Sequence, residues 1–244
     1  GAKVLAAGKD TFTARARRRL FGKIATGDWD IVVVPHSSFK LIALSPETEE
    51  VFLQEELQLA LKAVKDAEAD QEGGGRFKSV SVKTAEALVK KIEARIDATK
   101  SKGKDRLLTF EQMGVYDITV DEAHEFKNLF YSSRMASVRG MGDQSGSQKA
   151  FDLYTKIRYL RSTPTGSVTF MTGTPISNSV VELYTMMRYL AAKDLKEMGM
   201  EHFDAWRGTK ANHAAVTLMR PAGGKTWTRV EGLASADQLA GIWK

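Results

Sequence analysis

The sequence predicts an α/β fold in which a parallel sheet is interrupted by an antiparallel helical hairpin. Short apolar runs alternate with helical patterns, as expected of βα units, because a parallel strand is followed by a crossover connection. In residues 47–102, apolar residues instead repeat at alternating spacings of four and three, on both sides of a glycine triplet at 73–75. That repeat is typical of two helices that pack along a coiled-coil-like seam.

The first two predicted strands are residues 3–7 (KVLAA) and 30–34 (DIVVV), with an amphipathic helix between them. The helix has an apolar stripe at helical spacing, made of Phe12, Ala16, Leu20 and Ile24. Beside the stripe lies a basic face made of Arg15, Arg17, Arg18, Arg19 and Lys23. Such a charge run is either a solvated helix face or a surface for phosphate contacts. On the second interpretation Arg15, Arg18 and Arg19 contact nucleic acid.

A second candidate for phosphate contact follows the strand at 30–34, where Pro35 precedes His36, Ser37 and Ser38. Small hydroxyls and main-chain N–H groups at a strand end suit phosphate oxygens. The alternative is a helix N-cap, a position that Ser often occupies. The net charge of +6 favours a polyanionic partner.

The stretch VYDITVDEAHEFKN carries the most chemistry. Val115, Ile118 and Val120 indicate a buried strand, which delivers Asp121 and Glu122 to its carboxyl end. Ligands of parallel α/β sheets bind at that edge. An Asp there can hold Mg²⁺ against nucleotide phosphates, and the next acid can orient or deprotonate the attacking water. The alternative is a charged helix start, since acids favour a first turn.

A similar block follows some fifty residues later, GSVTFMTGTPISNSVVELYTMMRYL. Residues 168–170 predict a short strand, and the Thr172-Gly173-Thr174-Pro175 run predicts a tight turn. Asn178 or Ser179 would then cap the helix that follows. The alternative is an ordinary βα loop whose Gly and Pro only form the turn.

The two blocks together resemble motifs II and III of the superfamily-two helicases and translocases, within them the Swi/Snf-like group. Motif II is DEAH followed by Lys127 and Asn128, and motif III is TGTPISNS. The resemblance covers most of residues 1–190. It extends to the helicase regions of large phage and plasmid proteins, which share segments such as GDWDIVVVPHSSF, SQKAFDLYTKIRYL and ELYTMMRYL.

This resemblance implies a partial RecA-like P-loop NTPase lobe, formed by residues 1–46 and 103–190. The hairpin at 47–102 would be an insertion, and 191–244 would be an extension or linker toward a second RecA-like lobe. The implied cofactors are ATP and Mg²⁺. The implied partner is duplex DNA, bound without sequence specificity.

The resemblance also implies roles for single residues. Asp121 would coordinate Mg²⁺ and Glu122 would be the catalytic base. A coupling group would link the nucleotide site to motif III; its members are Ala123, His124, Thr172, Gly173 and Thr174. The loop with His36, Ser37 and Ser38 stands where the family contacts the nucleic-acid backbone.

No complete phosphate-binding loop occurs in the sequence. The nearest run, 222–226 (AGGKT), has Met219 where the first Gly of GxxxxGK[ST] belongs, and it follows DEAH instead of preceding it. We therefore expect the chain to be the central and later part of a first lobe, from a protein that hydrolyses ATP, and to be inactive alone. The alternative function is a non-catalytic module, derived from a helicase lobe, that binds nucleic acid or a partner.

The composition predicts a soluble protein of a reducing compartment. The absence of cysteine excludes disulfides and thiolate metal sites. Apolar runs such as residues 31–34 are too short to span a membrane, and no signal peptide is visible. We expect a cytoplasmic location, in a bacterium or a phage-infected cell, and no membrane partner.

Overall fold

A computed structural model describes residues 1–72, 78–101, 108–133, 144–177, 179–210, 214–218 and 227–231. The helices are α1 Ala14–Thr26, α2 His36–Phe39, α3 Pro46–Glu72, α4 Lys78–Ser101, α5 Gln148–Ser162, α6 Val180–Leu190, α7 Ala192–Glu197 and α8 Phe203–Lys210. The strands are β1 Val4–Ala6, β2 Ile31–Val33, β3 Asp117–Val120, β4 Ser167–Phe170, β5 Ala214–Leu218 and β6 Trp227–Glu231. Short 3-10 turns span Lys9–Phe12, Glu111–Met113 and Ala123–Phe126. The run at 222–226 and Asn178 lie outside the described residues.

The first four strands of the described residues form two separate parallel pairs, β1 with β2 and β3 with β4, and not the one parallel sheet that the sequence predicts. Side chains of both pairs enter one apolar core together with α1 and α5. In the described residues, side-chain packing in this shared core therefore holds the two strand pairs together, and backbone hydrogen bonds between the pairs do not. Because β1 and β2 each contain three residues, their edges offer little length for pairing with a further strand. Their outward-facing residues Val4, Ile31 and Val33 are half exposed.

Helices α3 and α4 form the hairpin, and their seam follows the apolar repeat of the sequence. Buried seam residues are Leu53, Ala60, Val82, Ala85, Val89, Ile92 and Ile96. Leu57 and Val64 are partly buried against the same core. Ion pairs from Arg95 to Glu49 and from Lys100 to Glu50 join the end of α4 to the start of α3, so the helices run antiparallel.

A buried ionic cluster attaches this hairpin to the helix that follows the TGTP turn. Arg188 of α6 donates to both carboxylate oxygens of Glu56 in α3, at 2.8 and 2.9 Å, and their side chains are 7% and 3% exposed. The Tyr154 hydroxyl of α5 donates to the same carboxylate at 2.9 Å. Burial alone would lower the pKa of Arg188, but the Glu56 charge together with Tyr154 and Tyr184 outweighs burial and raises that pKa above its ordinary value.

Residues after α6 pack back onto the molecule. Tyr184 of α6 meets Phe203 and Trp206 of α8 in a second apolar core, where the indole of Trp206 is fully buried. Beyond α8, β5 and β6 form an antiparallel pair. None of the helices in the described part of the chain combines the length and apolar character that a membrane span requires.

Candidate functional site

The carboxyl ends of β3 and β4 lie side by side and bring the DEAH and TGTP segments together. The strands pair in parallel from Asp117 with Ser167 to Val120 with Phe170. The ladder continues past both strands, since Met171 N–H donates to Val120 at 2.9 Å and Ala123 N–H donates to Met171 at 3.0 Å. Two segments about fifty residues apart in sequence thus form one edge, as the sequence predicts.

Asp121 and Glu122 present exposed carboxylates at this edge. Asp121 Oδ1 accepts from the Glu122 N–H at 2.9 Å. Glu122 adopts φ 49° and ψ 44°, and among the described residues no other non-glycine has a positive φ. Such a conformation costs on the order of 1–3 kcal/mol, and strain of this kind concentrates at functional sites. Mg²⁺ in nucleotide sites takes one or two carboxylates together with phosphate oxygens, and this donor set fits that requirement.

His124 connects the two motifs. Its Nδ1 lies 3.0 Å from Glu122 Oε2 and 3.2 Å from Thr172 Oγ1. Thr172 Oγ1 also accepts from the Thr174 N–H at 3.1 Å. A continuous line of polar contacts therefore runs from Glu122 into the TGTP turn.

The remaining members of the predicted coupling group differ in their surroundings. Ala123 is fully buried between the strand ends, where a larger side chain would meet the core. Gly173 and Thr174 are exposed. A Cβ added at Gly173 would meet no atom within 4 Å, so packing does not require glycine at that position.

Lys127, which sequence reasoning left without a role, holds the segment after the TGTP turn. Its ammonium lies 3.0 Å from Glu182 Oε1 and donates to the Ser177 hydroxyl. Glu182 in turn accepts from the Ser177 N–H at 2.7 Å. Ser179, one of the two predicted caps, begins α6, and its hydroxyl accepts from Val181 N–H. In the sequence, only the spacing of Lys127 from DEAH indicated that this residue matters, and that spacing did not identify Glu182 as its partner.

Three side chains of α6 donate to main-chain carbonyls of the segment that follows DEAH. Tyr189 donates to Phe126 O at 3.0 Å, and Thr185 donates to Lys127 O at 2.8 Å. Arg188 donates to Phe130 O at 2.5 Å. Sequence reasoning missed all three residues. Their only signal was the occurrence of polar groups, at a spacing of three and four, within an apolar helix.

The candidate nucleic-acid contacts lie on α1 and at the start of α2. Arg15, Arg18 and Arg19 are exposed on α1. In α2, Ser37 is exposed, whereas Ser38 is 6% exposed and its N–H donates to Pro35 O at 2.9 Å. Of the two predicted hydroxyls, only that of Ser37 is therefore at the surface. His36 is half-buried and faces the turn Ala123–Phe126.

Comparisons with known proteins place the chain in a helicase-related family. A family model described as "Probable helicase domain" matches residues 1–217. The chain is also 23% identical over 182 residues to "Defense against restriction protein B" of Escherichia phage P1. That alignment covers 68% of this chain and 8% of the phage protein, so the chain spans a small part of this relative's length. No solved structure matches the chain. Because the family model covers most of its length, the chain belongs to this helicase-domain family.

Proposed function

We propose that the chain is part of the first RecA-like lobe of an ATP-dependent DNA helicase or translocase of the Swi/Snf-like group. The observation that carries the proposal is the line of contacts from Glu122 through His124 to Thr172 at a shared strand edge. A strained acid at the carboxyl end of a parallel strand is a typical catalytic position. Helicase-domain membership supports the same class of activity.

In this proposal Asp121 would hold Mg²⁺, and the ion would supply the positive charge that phosphoryl transfer from ATP requires. Glu122 orients the attacking water and accepts its proton through its exposed carboxylate. Its main chain is fixed on both sides, because Asp121 accepts from Glu122 N–H and Ala123 donates to Met171 O. Fixed geometry of this kind reduces the reorganisation needed during the reaction.

The coupling step follows from the position of His124 between Glu122 and Thr172. Hydrolysis changes the charge in front of Glu122, and the contacts of His124 then favour a different arrangement of the TGTP turn. Helix α6 begins just after that turn and holds the segment after DEAH through Thr185. The turn and α6 would pass the nucleotide state to a second RecA-like lobe.

We further propose that the protein acts on duplex DNA in the cytoplasm of a bacterium or a phage-infected cell. The exposed arginines of α1 and the exposed Ser37 suit contacts with the phosphate backbone, which carry no sequence specificity. The phage relative is named for defence against restriction, which supports a phage-related setting for this chain.

Replacing Thr172 with Val tests the coupling step in the complete ATP-hydrolysing protein. Valine keeps the shape but removes the hydroxyl that contacts His124 and the Thr174 N–H. We expect translocation along DNA to fall more than ATP hydrolysis, by a further factor of about 5–150, the usual range of site-to-site coupling. Phosphate release, and displacement of a third strand bound to the duplex ahead of the protein, measured on one preparation, give the two rates.

The matched control is Thr172→Ser, which keeps the hydroxyl and should preserve the ratio of the two rates. Equal losses in both assays for Thr172→Val, together with a lower melting temperature, would instead assign Thr172 a purely structural role in the turn.

DNA binding by this chain tests the proposed contacts of the α1 arginines and Ser37 with the phosphate backbone. We expect a Kd of about 10⁻⁴–10⁻⁶ M at physiological salt, little dependence on sequence, and steep weakening with salt. Replacing Arg15, Arg18 and Arg19 with Ala should weaken binding and reduce the salt slope by up to about 2.7, because each phosphate contact contributes about 0.9. Fluorescence anisotropy with a labelled duplex measures both quantities.

A control with the same change in charge replaces three exposed lysines of other helices, Lys90, Lys193 and Lys196. It should leave the salt slope near that of the wild type. If the arginine variant also keeps the wild-type affinity and slope, the basic face of α1 is only solvated surface.

A further inference from the structure

His36 makes a contact outside the loop to which it belongs. It stands at the start of α2, directly after Pro35, and it precedes the exposed Ser37. Its Nδ1 lies 3.3 Å from Glu125 Oε2. Its ring packs edge-on against Phe126, with ring centroids 4.9 Å apart. The loop proposed to meet DNA therefore touches the 3-10 turn Ala123–Phe126, which directly follows the acids of DEAH.

The contact joins three elements. Glu125 also accepts from Lys149 at the start of α5, and the Lys149 ammonium lies 4.5 Å from the centroid of the Phe126 ring. The hydrogen bonds from Lys149 and His36 hold the pKa of Glu125 below its ordinary value. Phe126 is buried, so it is fixed in the core while Glu125 reaches the surface.

The far end of α2 is anchored independently. Lys156 of α5 is fully buried, donates to Phe39 O at 3.1 Å, and lies over the Phe39 ring. A phosphate that contacts Ser37 would thus act on a short helix whose last residue is fixed. A displacement of α2 would then fall on its first residue, His36, which contacts Glu125 and Phe126.

We propose that His36 is a positioning residue that couples DNA contact at Ser37 to the DEAH segment through Glu125 and Phe126. This inference rests on the proposed function. It changes the role of His36 from a phosphate ligand to a link between the DNA-binding loop and the catalytic acids. Because coupling between two sites is reciprocal, a change at Glu122 should also alter DNA affinity through the same contact.

Amide hydrogen exchange in the 244-residue chain tests the link without any catalytic readout. The amides of three residues in and just after DEAH donate to main-chain carbonyls and serve as probes: Ala123, Glu125 and Lys127. At saturating concentrations of a mixed-sequence DNA duplex, we expect their exchange to slow by about five-fold or more in the wild type, the lower end of usual coupling. In His36→Ala the change should fall below about two-fold, although DNA still binds.

Two further variants separate a link from a structural role. His36→Asn places an amide nitrogen near the position of Nδ1 and should restore the response. Glu125→Ala removes the other partner at an exposed site and should abolish the response, even if His36→Ala proves unstable. Arg19→Ala is the matched control, because it removes a proposed DNA contact on α1 and should keep the response at saturating DNA, since Ser37, His36 and Glu125 are intact.

The outcomes distinguish the inference from the proposed function. DNA binding with no change at the three amides of the wild type would overturn the link and leave the proposed function standing. A response that persists fully in both His36→Ala and Glu125→Ala would also overturn it. Absence of DNA binding at low salt would overturn the proposed DNA contacts of this chain, and with them the coupling through His36.

Discussion

Replacing Glu122 with Gln, in the complete ATP-hydrolysing protein, is expected to lower the rate of hydrolysis by a factor of about 10²–10⁴. Glutamine keeps the shape of the side chain and can still accept a hydrogen bond from His124, but it cannot accept the proton of the attacking water. ATP binding should remain close to that of the wild type. Steady-state phosphate release and the affinity for a fluorescent nucleotide give the two quantities.

Asp117→Asn serves as the control for this prediction. Asp117 is an exposed acid at the opposite end of β3, where it accepts from the Ser167 hydroxyl. Its replacement removes the same charge from the same strand and should leave hydrolysis near the wild-type rate. Wild-type turnover by Glu122→Gln would remove Glu122 from the mechanism and favour the alternative of a binding module without catalysis.

The second large effect concerns stability. Replacing Arg188 with Met leaves the buried carboxylate of Glu56 without the guanidinium group that donates to both of its oxygens. We expect the free energy of unfolding to fall by about 3–5 kcal/mol, the usual loss when one member of a buried ion pair is removed. Urea denaturation followed by circular dichroism measures the change.

The double variant Glu56→Met, Arg188→Met should recover most of this loss, because it removes both buried charges and fills the space with apolar groups. The control is Glu197→Gln, which breaks an exposed pair with Lys193 and should cost no more than about 0.5 kcal/mol. A loss of less than about 1 kcal/mol for Arg188→Met would show that water reaches the Glu56 carboxylate and that the pair is not sealed.

The adjacency of the DEAH and TGTP segments could be predicted from the sequence. Ile118 and Val120 alternate with polar residues, and both buried positions point into the core as a strand requires. Since parallel strands end at a common edge, the residues after each strand meet. The hairpin was equally predictable, because its seam is a local repeat that needs no knowledge of distant residues.

Other features could not be predicted because their causes are distant in sequence. Glu56 and Arg188 are 132 residues apart, and neither periodicity nor motif spacing identifies such a pair. The same holds for His36 and Glu125, which are 89 residues apart. The separation into two strand pairs depends on how α1 and α5 fill the shared core, which strand patterns alone do not encode.

The buried contact between Glu56 and Arg188 connects α6 to α3, so a small movement of α6 can reach the far end of α3. From Glu56 to the end of α3 at Glu72, the helix projects about 24 Å beyond this anchor. The length of about 24 Å follows from the helical rise of about 1.5 Å per residue. If α3 moved rigidly with α6, a rotation of α6 by about 10° would move the tip of α3 by about 4 Å. In a movement that kept this contact rigid, the hairpin would be a lever arm on α6, and a label at its tip would report the rotation of α6 with amplified displacement.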